Sequence, residues 1–248
     1  MRNWTIAALP LTLALAACNG TITTDEGGKG RSADPGPTTT QDFALTGFTG
    51  VEVTGPDDVT IRQGDAFSIS AKGPKAEIDD LEIKLDGTTL SIGRKRSGFS
   101  FGGRDHDEVE IAITMPRLGA VKLTGSGSID ADTIDGNDVA AVLTGSGDLK
   151  VAKFSGAKAK LTVSGSGDIE IAGGAIKSGD LDVTGSGDID AKGLAAETLD
   201  ISVTGSGNIA AQATASADIS ILGSGDVDLT GGAACTTKAM GSGTATCK

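Results

Sequence analysis

The stretch LDVTGSGDIDA (181–191) carries two interleaved rows of side chains. Leu181, Val183, Ile189 and Ala191 share one parity, with Gly185 and Gly187 between them, while Asp182, Thr184, Ser186, Asp188 and Asp190 share the other. A period of two reads as strand with one buried and one wet face. The triplet GSG begins at Gly125, Gly145, Gly165, Gly185, Gly205, Gly223 and Gly241, at spacings of 20, 20, 20, 20, 18 and 18. Neighbouring copies repeat the apolar row, as Leu161, Val163, Ile169 and Ile171 before it and Ile201, Val203, Ile209 and Ala211 after it. Between copies lies a second short apolar stretch, at Ile134, Phe154, Ile176 and Leu194, which predicts the opposite wall of each coil. No unit of this length buries its apolar row alone, so a fixed period near 20 residues means stacked units. The pattern predicts an all-β solenoid of parallel strands ~4.8 Å apart. Its glycines mark corners where the chain bends or approaches its neighbour closely.

Upstream, residues 43–116 alternate without a fixed repeat. VEVTG (51–55), DVTIRQG (58–64), FSISAKG (67–73), LEIKLDG (81–87), TLSIG (89–93) and VEIAITMP (109–116) read as half-buried strands punctuated by turn residues. RKRSGFSFGGRDHDE (94–108) interrupts them. Arg94, Lys95, Arg96 and Arg104, with Phe99 and Phe101, make it a candidate binding loop for an anionic glycan or lipid headgroup. A long hairpin connection without a ligand is the simpler reading. His106 is the sole histidine, which leaves no basis for a metal centre or a catalytic triad.

The chain opens MRNWTIAALPLTLALAACNG. A positive start and an apolar run too short to span a bilayer read as a signal peptide over residues 1–17. Leu15, Ala16, Ala17 and Cys18 match the lipobox of bacterial lipoproteins, so Cys18 is the expected lipidation site. Two or more acyl chains anchor stably where one does not. Asn19, in place of an Asp, points to the outer membrane. Residues 18–41 hold one large apolar residue, Ile22, and read as a tether. The non-repetitive β region follows over 42–117 and the GSG repeats over 118–248, the two forming one continuous domain.

Gly at 38 of 248 residues and no Tyr suit short strands and tight turns. A formal charge of −12 argues against nucleic acid as a partner. Export places Cys235 and Cys247 in an oxidising compartment. Counted from their GSG, both fall in inward columns, and a disulfide between them would close the last coil if the walls converge there. The position after each GSG reads Ser128, Asp148, Asp168, Asp188, Asn208, Asp226 and Thr244. Stacking makes these a row, and the charges of Asp148, Asp168, Asp188 and Asp226 invite cations such as calcium. The nine-residue calcium repeat GGxGxDxUx needs twice as many ligands, so solvated carboxylates are the simpler reading.

FTGVEVTGPDDVTIRQGD, the IAITMP stretch and the iterated TGSGDI units together resemble the auto-transporter adhesin head GIN domain family over roughly residues 42–248. The resemblance implies a right-handed parallel β-helix and brings no catalytic residues. The expected function is a non-catalytic envelope lipoprotein, held to the membrane by its lipid, that presents a rigid surface to a protein or glycan. Two alternatives are a carbohydrate-active β-helix enzyme such as a polysaccharide lyase, and a calcium-stabilised structural module. The first needs a positioned base and charge-neutralising groups. The repeats contain no Arg, His, Tyr or Trp to supply them.

Overall fold

The computed structural model describes residues 37–95 and 108–248. Its strands and one short helix follow in chain order as β1 (Thr38–Asp42), β2 (Gly50–Gly55), β3 (Asp58–Gln63), β4 (Ser68–Pro74), α1 (Lys75–Asp80), β5 (Leu81–Asp86), β6 (Thr89–Arg94), β7 (Glu110–Met115) and β8 (Ala120–Gly125). The repeats contribute β9 (Ser128–Gly145), β10 (Asp148–Gly165), β11 (Asp168–Ile171), β12 (Gly174–Gly185), β13 (Ile189–Gly205), β14 (Ile209–Gly223), β15 (Val227–Thr230), β16 (Ala234–Gly241) and β17 (Ala245–Cys247). With 74% strand and 3% helix among the described residues, in stacked parallel coils, the protein is a β-solenoid of about 6 turns.

Two walls face each other across the core. One runs β5–β6–β2–β8–β9–β10–β12–β13–β14–β16. The other runs β1–β4–β7–β3–β9–β10–β11–β13–β14–β15–β17. The strands from Ala120 onward pair in parallel, and the glycine triplets stack from Gly125 through Gly145, Gly165, Gly185, Gly205 and Gly223 to Gly241. Inward columns are aliphatic on both sides. Leu123, Leu143, Val163, Val183, Val203 and Ile221 line one wall, facing Ile129, Leu149, Ile169, Ile189, Ile209 and Val227 on the other, and all are buried. Full burial of each such side chain contributes roughly 1.5–3 kcal/mol.

The expected opposite wall needs a correction. Ile134, Phe154 and Leu194 do share a column, but its remaining member is Gly174, not Ile176. Ile176 is buried two residues further on, in register with Gly156 and Ala196. A strict 20-residue count from Phe154 lands on Gly174, and Ile176 follows Gly156 at the same spacing in the column two residues on. The change to 18 residues is absorbed where β13 meets β14, by register shifts between Ala191 and Ala195 and between Ala196 and Thr198.

The non-repetitive segment carries coils of the same kind, stacked out of chain order. β6 and β7 lie on the far side of β2 and β3, while β8 and β9 lie on the near side. The chain therefore inserts the β2–β3 coil between two later ones. Antiparallel strands close this end, with β5 on β6, β4 on β7 and β1 on β4. Ile78 of α1 and Phe48 are buried beneath the cap, and the Phe48 ring lies 4.8 Å from that of Phe67.

Candidate functional site

The corners make the most regular surface of the molecule. In each, the first glycine carries a positive φ, +124° at Gly185 for example, and a Cβ there would sit 2.2 Å from the Gly165 carbonyl oxygen below it. The second is just as confined, since a Cβ on Gly187 would meet the Gly167 oxygen at 2.0 Å. One carbonyl holds each corner down. The Gly165 oxygen accepts from the amides of both Ser186 (2.8 Å) and Gly187 (3.1 Å), and the pattern recurs from coil to coil. The backbone thus requires Gly-x-Gly and leaves the middle residue open.

That middle residue is serine in all seven triplets: Ser126, Ser146, Ser166, Ser186, Ser206, Ser224 and Ser242. All seven are exposed, and their hydroxyls make no hydrogen bond to other described residues. They form a straight ridge with one hydroxyl per coil, a step of ~4.8 Å.

The row beside the ridge is internally bonded. Asp168 Oδ1 accepts from the Asp188 amide (2.8 Å), and Asp188 Oδ1 accepts from the Asn208 amide (2.6 Å) and from Asn208 Nδ2 (3.0 Å). Asn208 Oδ1 takes the Asp226 amide (3.0 Å), and Asp226 Oδ1 takes the amide (2.8 Å) and hydroxyl (2.7 Å) of Thr244. The Thr244 hydroxyl, and after it the Thr244 amide, hold the Asp226 carboxyl below its usual range. Lower in the stack, the amides of Asp148 and Asp168 bond the carbonyls of Gly127 and Gly147 instead. Each carboxylate from Asp168 upward therefore acts as a peg for the next coil. Among the described residues no three His, Cys, Asp or Glu side chains are grouped to share a metal ion.

The candidate binding loop is only partly described. Arg96, Phe99, Phe101 and Arg104 lie outside the described residues, as does His106. Arg94 does not serve as an open grip, which corrects its expected role. Its Nε donates to Asp57 Oδ2 (3.1 Å), Nη2 donates to Asp57 Oδ1, and Nη1 donates to Glu77 Oε2 (2.5 Å) and to the Glu77 carbonyl (3.1 Å). The side chains of Arg94, Asp57 and Glu77 are 13%, 1% and 16% exposed. Asp57 also accepts the Val109 amide (3.1 Å). Lys95 is exposed, and its ammonium donates to the Asp79 carbonyl.

Register explains this cluster. Gly55 pairs with Gly125, so TGPDD (54–58) is an eighth corner of the TGSGD kind, with Pro56 for the serine and Asp57 for the second glycine. In the coil outside it, Arg94 follows the strand that pairs with β2, and Val109 precedes the strand that pairs with β3. Arg94 and Val109 thus fall in line with Gly55 and Asp57, and the Asp57–Arg94 pair joins this corner to the coil outside it. The signal was the Gly55-Pro56-Asp57 spelling, which triplet matching passes over.

Cys235 and Cys247 are joined in a disulfide, with Cα atoms 6.7 Å apart. They sit in the columns of Ala217 and Leu229. Cys235 is half-buried and Cys247 exposed, because no coil covers the last one among the described residues. Cys18 lies outside the described residues.

These features define a class of protein: a parallel β-solenoid with glycine-pinned corners, an antiparallel cap at one end and a polar, repetitive flank. The chain belongs to the family described as "Putative auto-transporter adhesin, head GIN domain", whose model matches residues 47–233. No curated protein matches it. Among solved structures, a putative adhesin from Bacteroides fragilis NCTC 9343 is 20% identical with a TM-score of 0.76, over 85% of this chain and 97% of that one. A putative adhesin from Parabacteroides merdae ATCC 43184 is 21% identical with a TM-score of 0.65, over 86% and 97%. A putative lipid binding protein from Parabacteroides distasonis ATCC 8503 is 21% identical with a TM-score of 0.64, also over 86% and 97%. At these identities the likeness is one of fold.

Proposed function

We propose that this chain is a non-catalytic envelope lipoprotein that works as an adhesin or scaffold, presenting its rigid flank to a glycan or protein. The serine ridge carries this reading. The fold dictates both corner glycines but not the residue between them, yet a free hydroxyl recurs there in every repeat. A ligand that fits one coil fits the next in the same way, so weak unit contacts add along the rod. A linear polymer of regular repeat, above all a glycan, has the matching one-dimensional order. The family description and the adhesin neighbours lend support. We read the chain as no lyase, because from Leu118 onward it has no Arg, His, Tyr or Trp to set beside a uronate.

Binding of the delipidated protein to immobilised envelope glycans and matrix proteins tests this reading. Replacing Ser146, Ser166 and Ser186 together by Glu should weaken the captured interaction by about tenfold or more. Binding unchanged in that variant would refute a role for the ridge.

We further propose that Cys18 carries the lipid and that Asn19 sends the protein to the outer membrane. Cys18→Ser should abolish palmitate labelling and move the protein from the membrane pellet to the soluble fraction. For the carboxylate row we propose a structural role without a cation, since the pegs already occupy an oxygen on each of Asp168, Asp188 and Asp226. The melting midpoint should then be the same in calcium and in chelator. A calcium-dependent rise would restore the bound-ion reading, because a ligand of the folded state must raise it.

A further inference from the structure

The second wall changes character toward its antiparallel cap. In the repeats one of its outward rows runs Asp130, Lys150, Glu170 and Asp190. Followed the other way through β3, β7 and β4, that row reads Thr60, Ala112 and Ser70 and ends at Asp42. The row beside it continues the line of pegs and reads Ser128, Asp58, Glu110, Lys72 and Thr40. Three short side chains among longer neighbours leave a groove of about 530 Å³, lined by both rows. Its volume falls in the ~300–1,000 Å³ range of small-ligand sites.

Hydrogen bonding within the groove is half complete. Ser128 Oγ donates to Asp58 Oδ1 (2.7 Å), and Lys72 Nζ donates to Glu110 Oε2 (3.3 Å). Each carboxylate is therefore held through one oxygen and keeps the other for a ligand. Asp58 and Glu110 are in register on adjacent strands, ~4.8 Å apart. The hydroxyls of Thr40, Thr60 and Ser70 make no hydrogen bond to other described residues. A carboxylate only accepts, whereas a hydroxyl both donates and accepts. Neighbouring hydroxyls on a sugar ring have the donors and acceptors that satisfy this set. Charge narrows the choice further. Asp42, Asp58, Glu110 and Asp130 outnumber the cations Lys72 and Arg62, and each cation already has a carboxylate partner. An acidic ligand meets like charge there. No aromatic side chain lines the groove, so hydrogen bonds select the ligand without ring stacking.

We propose that this groove is a carbohydrate site for a sugar ring free of acidic groups. Asp58 and Glu110 accept from its hydroxyls, Thr60 and Ser70 donate to it, and Ala112 is the floor on which it lies. Pre-set partners on strands lose little freedom when the ligand arrives. The site rests on the reading above for the class of ligand, a glycan, but uses none of the ridge serines.

The test screens the full chain with Cys18→Ser on an array of neutral, amino-sugar and uronate glycans. Binding should favour glycans without acidic groups. Ala112 is exposed, so Ala112→Gln fills the groove without disturbing the core, and it should weaken binding by about tenfold or more. Glu110→Gln keeps the shape but removes the charge from one acceptor, for a loss of about fivefold. The Glu110–Lys72 pair is exposed, so that variant should melt with the parent. Ser202→Gln, outward on the opposite wall, should bind as the parent does. No binding to any acid-free glycan, a preference for uronates, or parental affinity in Ala112→Gln would each overturn the groove. Binding lost in the Ser146, Ser166 and Ser186 variant but kept in Ala112→Gln would remove the groove and leave the ridge. Binding lost in Ala112→Gln but kept in the ridge variant would support the groove and remove the ridge.

Discussion

Asp57 is the only buried charged side chain among the described residues, and it stands where each GSG corner has its second glycine. Breaking a buried pair leaves an uncompensated charge, so Arg94→Ala should cost about 3–5 kcal/mol in denaturant unfolding. Asp57→Gly restores the corner spelling, and the double variant should recover much of that loss. A double variant as unstable as Arg94→Ala would show that the pair does not act as a unit. At Gly185, Ala would combine a strained φ with overlap on the Gly165 carbonyl, for a loss of about 3 kcal/mol or more. Ser186→Ala, one residue on, should change stability by no more than about 0.5 kcal/mol. Asp226 has a lowered folded-state pKa, so the stability it adds is present above the ordinary carboxylate range. That contribution fades as pH falls through the depressed value. Thr244→Val removes the larger cause and keeps the amide, so an NMR titration should show the Asp226 pKa rising part of the way back.

The last coil is the weakest element. Its inward positions hold Thr237, Ala239 and Ala245 where the preceding coil has Ile219, Ile221 and Val227, so little apolar burial holds it. The disulfide closes a segment with a sequence separation of 12 and contributes about 3 kcal/mol in the chain-entropy model. Cys235→Ser with Cys247→Ser should raise amide exchange across residues 234–248 while residues 128–205 keep their protection. Uniform loss of protection would mean that the coil is not a separate unit of stability. The same comparison shows what the sequence discloses. Parity and period placed the strands of 118–248 and the cysteine columns, because both depend on local spacing alone. The out-of-order stacking of β6 and β7 was not legible, because no local pattern says which coil an alternating strand will lie on. Ile176 belongs to a different column because the 20-residue count from Phe154 falls on Gly174, so apolar character alone does not assign a column.

Across the described coils, glycine corners, aliphatic columns and side-chain pegs combine into a stack whose flank repeats and whose ends do not. The ridge was visible in the sequence as GSG, but its significance lies in the contrast between confined glycines and an unconstrained serine, which only the stacked backbone reveals. Arg94 misled because a basic side chain beside a Gly-rich segment looks exposed until register places it against Asp57. The central claim is that successive corners lie in one line at a constant step. Spin labels at Ser126→Cys paired with Ser206→Cys, Ser224→Cys or Ser242→Cys measure it directly by pulsed dipolar spectroscopy. The distances should grow by a constant step, to about 19, 24 and 29 Å at ~4.8 Å per coil. Distances that fail to increase in order, or that scatter without a common step, would contradict the stacked solenoid.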